Sequence, residues 1–247
     1  MTLKEIEEIE LKYLNKFYYF LKFTEDEMMV GFKTKEKIKS DWQKWYSDGI
    51  SDFAVGAERI IYALFNGKGI GQPNSAPVGA DLFFEVEDAF IHIDLKTVEA
   101  DGNLGDYTNS IFVGKNQNSY KAEIKKANGI SFSPPRIYEP HLPTFYNKNT
   151  KQKKICLSYF ITILYSKTNL DIININILSM PNGELVEHYE SRPLKAGKNP
   201  DKVRFNFKEV NKFELLENKN SRIKVVYLDI NSKFINKLQL FKDIENA

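Results

Sequence analysis

Two aspartates and a lysine lie close together in the sequence and have the side chains that a hydrolytic site needs. Asp81 precedes Asp94 by thirteen residues, and Lys96 follows two residues later. The residues between them alternate between apolar and polar, which is typical of two strands joined by a turn, here at Glu87 and Asp88. Successive side chains of a strand point to opposite faces, so Asp94 and Lys96 share a face. In such a hairpin, Asp81 stands opposite Asp94 on that face.

The hydrophobic pattern indicates the register of this hairpin. A turn at residues 87–88 produces four apolar pairs, which are Leu82 with Ile93, Phe84 with Ile91, Ala80 with Leu95, and Val86 with Ala89. A shift of one residue would place Asp94 on the apolar face. We therefore expect one face to pack on the core. The other face carries Asp81 opposite Asp94 and Phe83 opposite His92.

Two opposed carboxylates point to a cation between them. Directly opposed residues of an antiparallel pair have Cβ atoms about 4.5–5.5 Å apart. Carboxylates at that distance repel each other, and a divalent cation is the simplest compensation. Lys96 is placed to hold or activate a water beside the metal, and Gly79 opposite it leaves room for a substrate group. Hard oxygen ligands with an adjacent lysine suit Mg²⁺ and phosphodiester hydrolysis.

The alternative is a surface hairpin in which Asp94 and Lys96 form an ordinary ion pair. An acidic residue two positions before a lysine occurs four times in the sequence. Of these, only Asp94 lies in an alternating strand with a second acid on the paired strand. An aspartate pair contributes nothing to the stability of a solvated hairpin, so the pattern favours the metal site.

Helices and strands around this hairpin must position it. Apolar spacing predicts a helix from Leu3 to Phe23 and another that begins after Ser51 or Asp52 and stops at Gly67. A loop rich in glycine and proline then leads to Asp81. Further strands are predicted at 155–165, 170–180, 185–189, 203–207 and 223–230, with a hairpin between the second and third of these. We also expect a short helix at 118–128, a largely irregular stretch at 130–146 and a helical tail from residue 233.

These elements predict one α/β domain with a central sheet, spanning 1–247. Its parts are N-terminal helices at 1–66, a catalytic core at about 50–130 and C-terminal strands with a tail at about 155–247. The composition, with 42% apolar and 28% charged residues, is that of a globular protein. A net charge of +2 does not exclude a nucleic-acid partner, because the clustering of charges decides such binding.

Several classes of protein are excluded by simpler features. No segment approaches the roughly 18 apolar residues that span a bilayer, so no membrane partner is expected. The charged N-terminus does not have the apolar core of a signal peptide. A single cysteine, Cys156, excludes a disulfide framework and a multi-cysteine zinc site. We therefore expect the protein in the cytoplasm.

The candidate catalytic residues resemble those of a known group of enzymes. Asp81 followed by Asp94-Leu95-Lys96 on the next strand resembles the PD-(D/E)XK nuclease superfamily, although Ala80 stands where that superfamily often has proline. Glu58, on the preceding predicted helix, is similar to the N-terminal helix acid of the superfamily. The motif and the chain length look most like type II restriction endonucleases. The resemblance covers about residues 50–98 as a motif.

The resemblance implies a fold and a set of roles. The fold is restriction-endonuclease-like, with a central mixed β-sheet flanked by helices. Asp81 and Asp94 would bind Mg²⁺ with the help of the Leu95 backbone carbonyl, and Lys96 would assist the attacking water. Glu58 would be a supporting acid or a ligand of a second metal.

Basic and amide side chains elsewhere are candidates for contacts with DNA. Lysine and arginine neutralise phosphates, while asparagine and glutamine read adenine in the major groove. For any single residue, an ordinary solvated loop is an equal alternative. The candidates are Gln72, Asn74, Lys115, Asn116, Gln117, Asn118, Lys121, Arg192, Lys195, Lys198 and Asn199.

Together these features predict a Mg²⁺-dependent endonuclease that cuts double-stranded DNA at a specific sequence. We expect a homodimer, because a two-fold protein reads a palindromic site and places one active site on each strand. The expected further partner is a cognate DNA methyltransferase. The alternatives are a repair or junction-resolving nuclease of the same fold, and a non-catalytic DNA-binding protein.

Overall fold

A mixed β-sheet lies at the centre of this computed structural model. The structure describes residues 1–33, 53–67, 81–102, 104–197, 203–207 and 221–246, and within 53–67 the side chains of 56–65. The strands are β1 (Leu82–Glu85), β2 (Ala89–Glu99), β3 (Ser110–Val113), β4 (Ala122–Lys125), β5 (Ser131–Tyr138), β6 (Phe145–Tyr146), β7 (Lys154–Tyr165), β8 (Ile172–Met180), β9 (Leu194–Ala196), β10 (Val203–Asn206) and β11 (Ile223–Leu228).

Helices cover both faces of this sheet. They are α1 (Leu3–Phe23), α2 (described at 25–33), α3 (Phe53–Gly67), α4 (Leu104–Tyr107), α5 (Val186–Tyr189) and α6 (Gln239–Glu245). Short 3₁₀ turns lie at Lys115–Gln117, Gly183–Leu185 and Ile235–Lys237. In the described ranges, no helix combines the length and apolar character needed to cross a bilayer. The bounds of α1 confirm the first predicted helix.

The sheet order places the predicted catalytic strand next to the most buried strand. Among the described strands, six form the central sheet in the order β1-β2-β7-β8-β11, with β6 beside the start of β7. Strands β2 and β7 run parallel, whereas the other neighbours are antiparallel. Every residue of β7 except Lys154 is buried. Strands β3, β10 and β9 form a smaller sheet, and β4 pairs with β5.

The two faces of the central sheet have different neighbours. On one face, Phe17 of α1 packs 5.2 Å from the ring of Tyr159 in β7 and 5.9 Å from that of Phe84 in β1. On the other face, the Tyr107 hydroxyl of α4 donates to the Asn174 side-chain oxygen of β8 at 2.7 Å. Helix α6 packs behind Tyr107 through Phe241, with ring centroids 5.4 Å apart. Asp94 and Lys96 lie on this second face.

The predicted hairpin between 170–180 and 185–189 is wrong. Strand β8 pairs with β7 and β11 instead, and residues 183–189 form a 3₁₀ turn followed by α5. Asn182 redirects the chain, because its side-chain nitrogen donates to the backbone oxygens of Cys156 at 2.7 Å and Thr144 at 3.0 Å. A Cβ on Gly183 would lie 2.2 Å from the Ser119 backbone oxygen, so this turn packs directly against another segment.

Two further predictions of local structure are wrong. Residues 118–128 contain β4 rather than a helix, and the stretch 130–146 contains β5 and β6. The β4–β5 pairing has a bulge, since Ile124 pairs with Arg136 while Lys125 pairs with Ser131. Residues 132–135, including Pro134 and Pro135, fall in this bulge. Proline has no N–H to donate to a ladder, and a bulge accommodates it.

Candidate active site

The hairpin that carries the two aspartates has the predicted register. Leu82 pairs with Ile93, Phe83 with His92 and Phe84 with Ile91. Leu82, Phe84, Ile91 and Ile93 are all buried, so the apolar face packs on the core as expected. Asp81 lies immediately before β1, where continuation of this register places it opposite Asp94.

The tip of the hairpin is fixed to helix α1. The Asp88 carboxylate accepts a hydrogen bond of 2.5 Å from the Tyr13 hydroxyl and one of 2.6 Å from the Lys12 ammonium. The Val86 N–H donates to the Ala89 oxygen at 2.9 Å and closes the turn. These contacts fix β1 and β2 relative to helix α1, and they therefore also fix the position of the two aspartates.

Asp94 is the most buried charged group of the site. Its side chain is 6% exposed, and one carboxylate oxygen forms an ion pair with the Lys96 ammonium. The other oxygen accepts a hydrogen bond from the side-chain nitrogen of Gln117, in the 3₁₀ turn after β3. The Asp81 carboxylate accepts a hydrogen bond of 2.6 Å from the Leu95 N–H. The structure therefore brings together Asp81, Asp94 and Lys96, as the sequence predicts.

Burial and neighbouring charges change the acidity of Asp94. Burial raises its pKa, to about 7, and the Asp81 and Glu58 carboxylates also raise it. The Lys96 ammonium acts in the opposite direction. Glu58, half-buried on α3, is thus close enough to act electrostatically on Asp94. A bound cation would offset the repulsion between Asp94 and the neighbouring carboxylates.

The donor set fits Mg²⁺. In the part of the chain that the structure describes, no group of three or more His, Cys, Asp or Glu side chains is arranged to hold a metal. Magnesium is usually bound through only one or two carboxylates, together with waters and substrate phosphates. Asp81 and Asp94 supply that number. A ligand role for the Leu95 carbonyl stays a prediction.

Aromatic residues lie next to the two aspartates on the same face of the hairpin. The ring of His92 lies 4.6 Å from that of Phe83, and its Nε2 is 3.0 Å from the Tyr146 hydroxyl. Burial lowers the pKa of His92 to about 4. A neutral imidazole at pH 7 therefore packs between the rings of Phe83 and Tyr146.

A cavity gives solvent access to Lys96. Its volume is about 470 Å³, and its lining includes Lys96, Phe112, Arg204, Ser110 and Asn176. Ser110 and Asn176 are buried, and the Ser110 hydroxyl and Asn176 side-chain oxygen have no hydrogen-bond partner among the described residues. Buried polar groups of this kind usually bind water. The cavity is therefore large and polar enough to admit water to the side of the sheet on which Lys96 lies.

The candidates for DNA contact have different positions. Lys121 is exposed and forms an ion pair with Glu139 at 2.9 Å, and Lys195 and Arg192 are exposed at and before β9. Lys115 and Asn116 lie in the same 3₁₀ turn as Gln117, and Asn116 is exposed. Gln72, Asn74, Lys198 and Asn199 lie outside the described residues. Contacts of all these residues with DNA stay predictions.

Asn118 has a structural role that the sequence did not indicate. It is fully buried, and its side-chain nitrogen donates to the Tyr138 hydroxyl at 2.7 Å and to the Gly114 oxygen at 3.1 Å. Its side-chain oxygen accepts from the Tyr120 N–H at 2.9 Å. The side chain thus braces the 3₁₀ turn and has no exposed surface for a base.

Comparison with known families identifies the type of enzyme. The model of the N-terminal domain of the type II restriction enzyme MwoI matches residues 2–169, and the model of its central domain matches residues 172–228. The chain belongs to the MwoI family of type II restriction enzymes. It is therefore a sequence-specific deoxyribonuclease, and the MwoI family implies a divalent metal ion. The resemblance to type II restriction endonucleases is confirmed.

Solved structures of restriction endonucleases share the fold. The chain is similar to BglI bound to its DNA recognition sequence, with a TM-score of 0.70 and 15% identity over 93% of this chain and 92% of BglI. It is also similar to tetrameric SfiI bound to cognate DNA, with a TM-score of 0.68 and 15% identity over 94% of this chain and 88% of SfiI. No curated protein matches the sequence. The predicted restriction-endonuclease-like fold is confirmed.

Proposed function

We propose that this enzyme uses Mg²⁺ to hydrolyse both strands of DNA at a specific palindromic sequence, acting as a homodimer beside a cognate DNA methyltransferase. The observation that carries the proposal is the opposed pair Asp81 and Asp94, with Lys96 bound to Asp94 on the same sheet face. Membership of the MwoI family supports the reaction class. The carboxylate oxygens of Asp81 and Asp94 support the choice of a hard divalent cation.

Each residue of the site has a role in the proposed reaction. Asp81 and Asp94 would hold the cation, and the Leu95 N–H fixes the orientation of the Asp81 carboxylate. When bound, the metal lowers the pKa of water and offsets charge on the phosphate. Lys96, which lines the cavity beside the site, would orient the attacking water through its ammonium group. The water oxygen forms a new P–O bond and gives up a proton to solvent, while the P–O bond to the leaving deoxyribose oxygen breaks and that oxygen takes up a proton from solvent.

The oligomeric part of the proposal follows from the two strands of the substrate. One chain carries one Asp81–Asp94–Lys96 site in the residues that the structure describes, whereas a double-strand break needs two hydrolyses. A two-fold dimer presents two such sites to strands of opposite polarity. The related structures, BglI with its recognition sequence and tetrameric SfiI with cognate DNA, support DNA as the partner and assembly of several chains.

The deciding experiment is digestion of a fully sequenced phage DNA, with Mg²⁺ and with a chelator. Discrete bands that require Mg²⁺ are expected, and sequencing of their ends would identify the recognition site. Unspecific degradation would contradict sequence-specific cleavage. Cutting only at branches or nicks would favour a structure-specific nuclease, and tight binding without cleavage would favour a DNA-binding protein.

A single substitution tests the assignment of the site. Asp94→Asn removes a charged candidate ligand with little change of shape, and we expect cleavage to fall by about 10³-fold or more. DNA affinity, measured in Ca²⁺ by fluorescence anisotropy, should change little. Asp101→Asn, which removes only an exposed ion-pair partner of Lys233, is the matched control. Cleavage by Asp94→Asn at the wild-type rate would disprove the site.

A further inference from the structure

Gln117 contacts the candidate metal-binding carboxylate from a different part of the fold. Its side-chain nitrogen donates to one Asp94 oxygen, while Lys96 pairs with the other. We propose that Gln117 is a positioning residue, which orients the Asp94 carboxylate for metal binding. This inference rests on the proposed function, and it gives Gln117 a role other than the base contact that the sequence suggested.

The hydrogen-bond network determines the orientation of the Gln117 amide. Its side-chain oxygen accepts a hydrogen bond of 2.7 Å from the Gly114 N–H. A backbone N–H only donates, so the amide oxygen must face Gly114. The amide nitrogen then points to Asp94 and presents a donor to the carboxylate. A reversed amide would place its oxygen against a carboxylate and its NH₂ against an N–H.

The turn that carries Gln117 is held from several sides. The His141 N–H donates to the Lys115 oxygen at 2.8 Å, and the His141 ring is hydrogen-bonded to the Asn116 side chain at 2.6 Å. The buried side chain of Asn118 bonds the Gly114 oxygen at 3.1 Å. A turn fixed in this way can hold the amide of Gln117 at one place relative to Asp94.

Gly114 provides the space that Gln117 occupies. A Cβ added at Gly114 would lie 3.2 Å from the Gln117 side-chain oxygen and 3.4 Å from the adjacent carbon. Such contacts are tighter than those that Cβ atoms normally make, so the Gln117 side chain would have to shift. Glycine at position 114 therefore leaves the space that the Gln117 amide needs in order to reach Asp94.

The two contacts leave Asp94 able to bind a cation. Each carboxylate oxygen has two acceptor positions, and the hydrogen bond from Gln117 uses one of them. Groups that hydrogen-bond to a metal-ligating carboxylate fix its orientation, and their loss commonly lowers metal affinity or activity by about 10–100-fold. Gln117 has the position of such a group, because it touches Asp94 and is anchored independently through Gly114.

Binding of Mn²⁺ to the protein–DNA complex, measured by calorimetry, tests this role without relying on cleavage. Gln117→Ala should weaken Mn²⁺ binding by about 10–100-fold. Gln117→Glu keeps an acceptor for the Gly114 N–H but replaces the donor to Asp94 with a carboxylate. It should bind Mn²⁺ more tightly than Gln117→Ala, because a third carboxylate faces the cation. Gln239→Ala, which removes an exposed glutamine donating to Asp243 at 2.7 Å, should bind as the wild type does.

Other results would overturn the inference in recognisable ways. If both variants bind Mn²⁺ within twofold of wild type and lose DNA affinity, Gln117 contacts DNA instead. If Gln117→Ala only lowers the melting temperature and Gln117→Glu behaves as wild type, the residue merely braces the turn. If wild-type protein binds Mn²⁺ through Asp94 but cleaves no DNA, the proposed nuclease function fails while the role of Gln117 is retained.

Discussion

Asp94, a proposed metal ligand, also opposes folding when its carboxyl group is ionised. Its carboxyl group is almost fully buried, and burial raises its pKa to about 7 from an ordinary value of 3.8. Between these two pKa values the Asp94 carboxyl group binds more protons in the folded protein than in the unfolded chain. The contribution of Asp94 to the stability of the metal-free protein should therefore fall as the pH rises from about 4 to about 7, and the fall should be complete above that range.

A neutral replacement of Asp94 should remove this loss. Without metal, Asp94→Asn is expected to have a higher melting temperature than wild type at pH 8, and the gain should shrink as the pH falls to 5. Differential scanning calorimetry in the presence of a chelator measures both values. Asp243→Asn, an exposed change on α6, is the control. A gain that is equal at both pH values would show that the charge of Asp94 is not its source.

Sequence reasoning found the residues of the hairpin because their contacts are local. Alternating apolar side chains specify which face each residue occupies, so the opposition of Asp81 and Asp94 could be read from the register. The contact of Gln117 with Asp94 could not be found this way, since it joins a 3₁₀ turn to a strand without a shared periodicity. The sequence indicates Gln117 only as one of several amide side chains in a polar stretch that could contact DNA.

A buried ionic cluster attaches helix α1 to the edge of the central sheet that β11 forms. The Arg222 guanidinium lies before β11, is 1% exposed, and pairs with Glu7 at 3.0 Å and with Glu10 at 2.5 Å. The Tyr189 hydroxyl also donates to Glu7, at 2.7 Å. The same helix holds the tip of the β1–β2 hairpin through Tyr13. The position of α1 thus links the sheet edge to the site.

Arg222→Met should destabilise the protein by about 3–5 kcal/mol, because it leaves two buried carboxylates without their cation. Urea unfolding of the metal-free protein measures the change. Arg204→Met breaks the partly exposed pair with Asp106 and should cost only about 0–1 kcal/mol. Equal effects of the two substitutions would show that the buried cluster contributes no more than a surface ion pair.

The elements that sequence reasoning assigned wrongly are those whose structure depends on distant partners. Strand β4 becomes extended because it pairs with β5, and the chain after β8 becomes helical because Asn182 binds the backbone near β6 and β7. Local propensity does not contain these contacts. Helix α1, by contrast, has a capping box between Thr2 and Glu5 and a regular apolar stripe, so its bounds could be predicted.

If the enzyme is a homodimer, a dimer that contains one wild-type and one variant chain should give different cleavage products from the wild-type dimer. A dimer of one wild-type chain and one Asp94→Asn chain has a single competent site. It should convert supercoiled plasmid to nicked circles, whereas the wild-type dimer should produce linear DNA. Co-expression with two different affinity tags allows such dimers to be purified. Linear product from the mixed dimer would contradict one site per strand.

The parallel pairing of β2 with β7 has a consequence for how the enzyme is made. Strands β1 and β2 are joined by a short turn, so Asp81, just before β1, and Asp94, in β2, can approach each other as soon as the hairpin leaves the ribosome. Ala89 pairs with Ile155, however, and parallel pairing waits for a long intervening segment to be synthesised and ordered. A nascent chain that stops before β7 has both aspartates and helix α1, but it lacks the strand that pairs with β2 from Ala89 to Glu99. Incomplete chains should therefore be harmless to the genome of the cell that makes them.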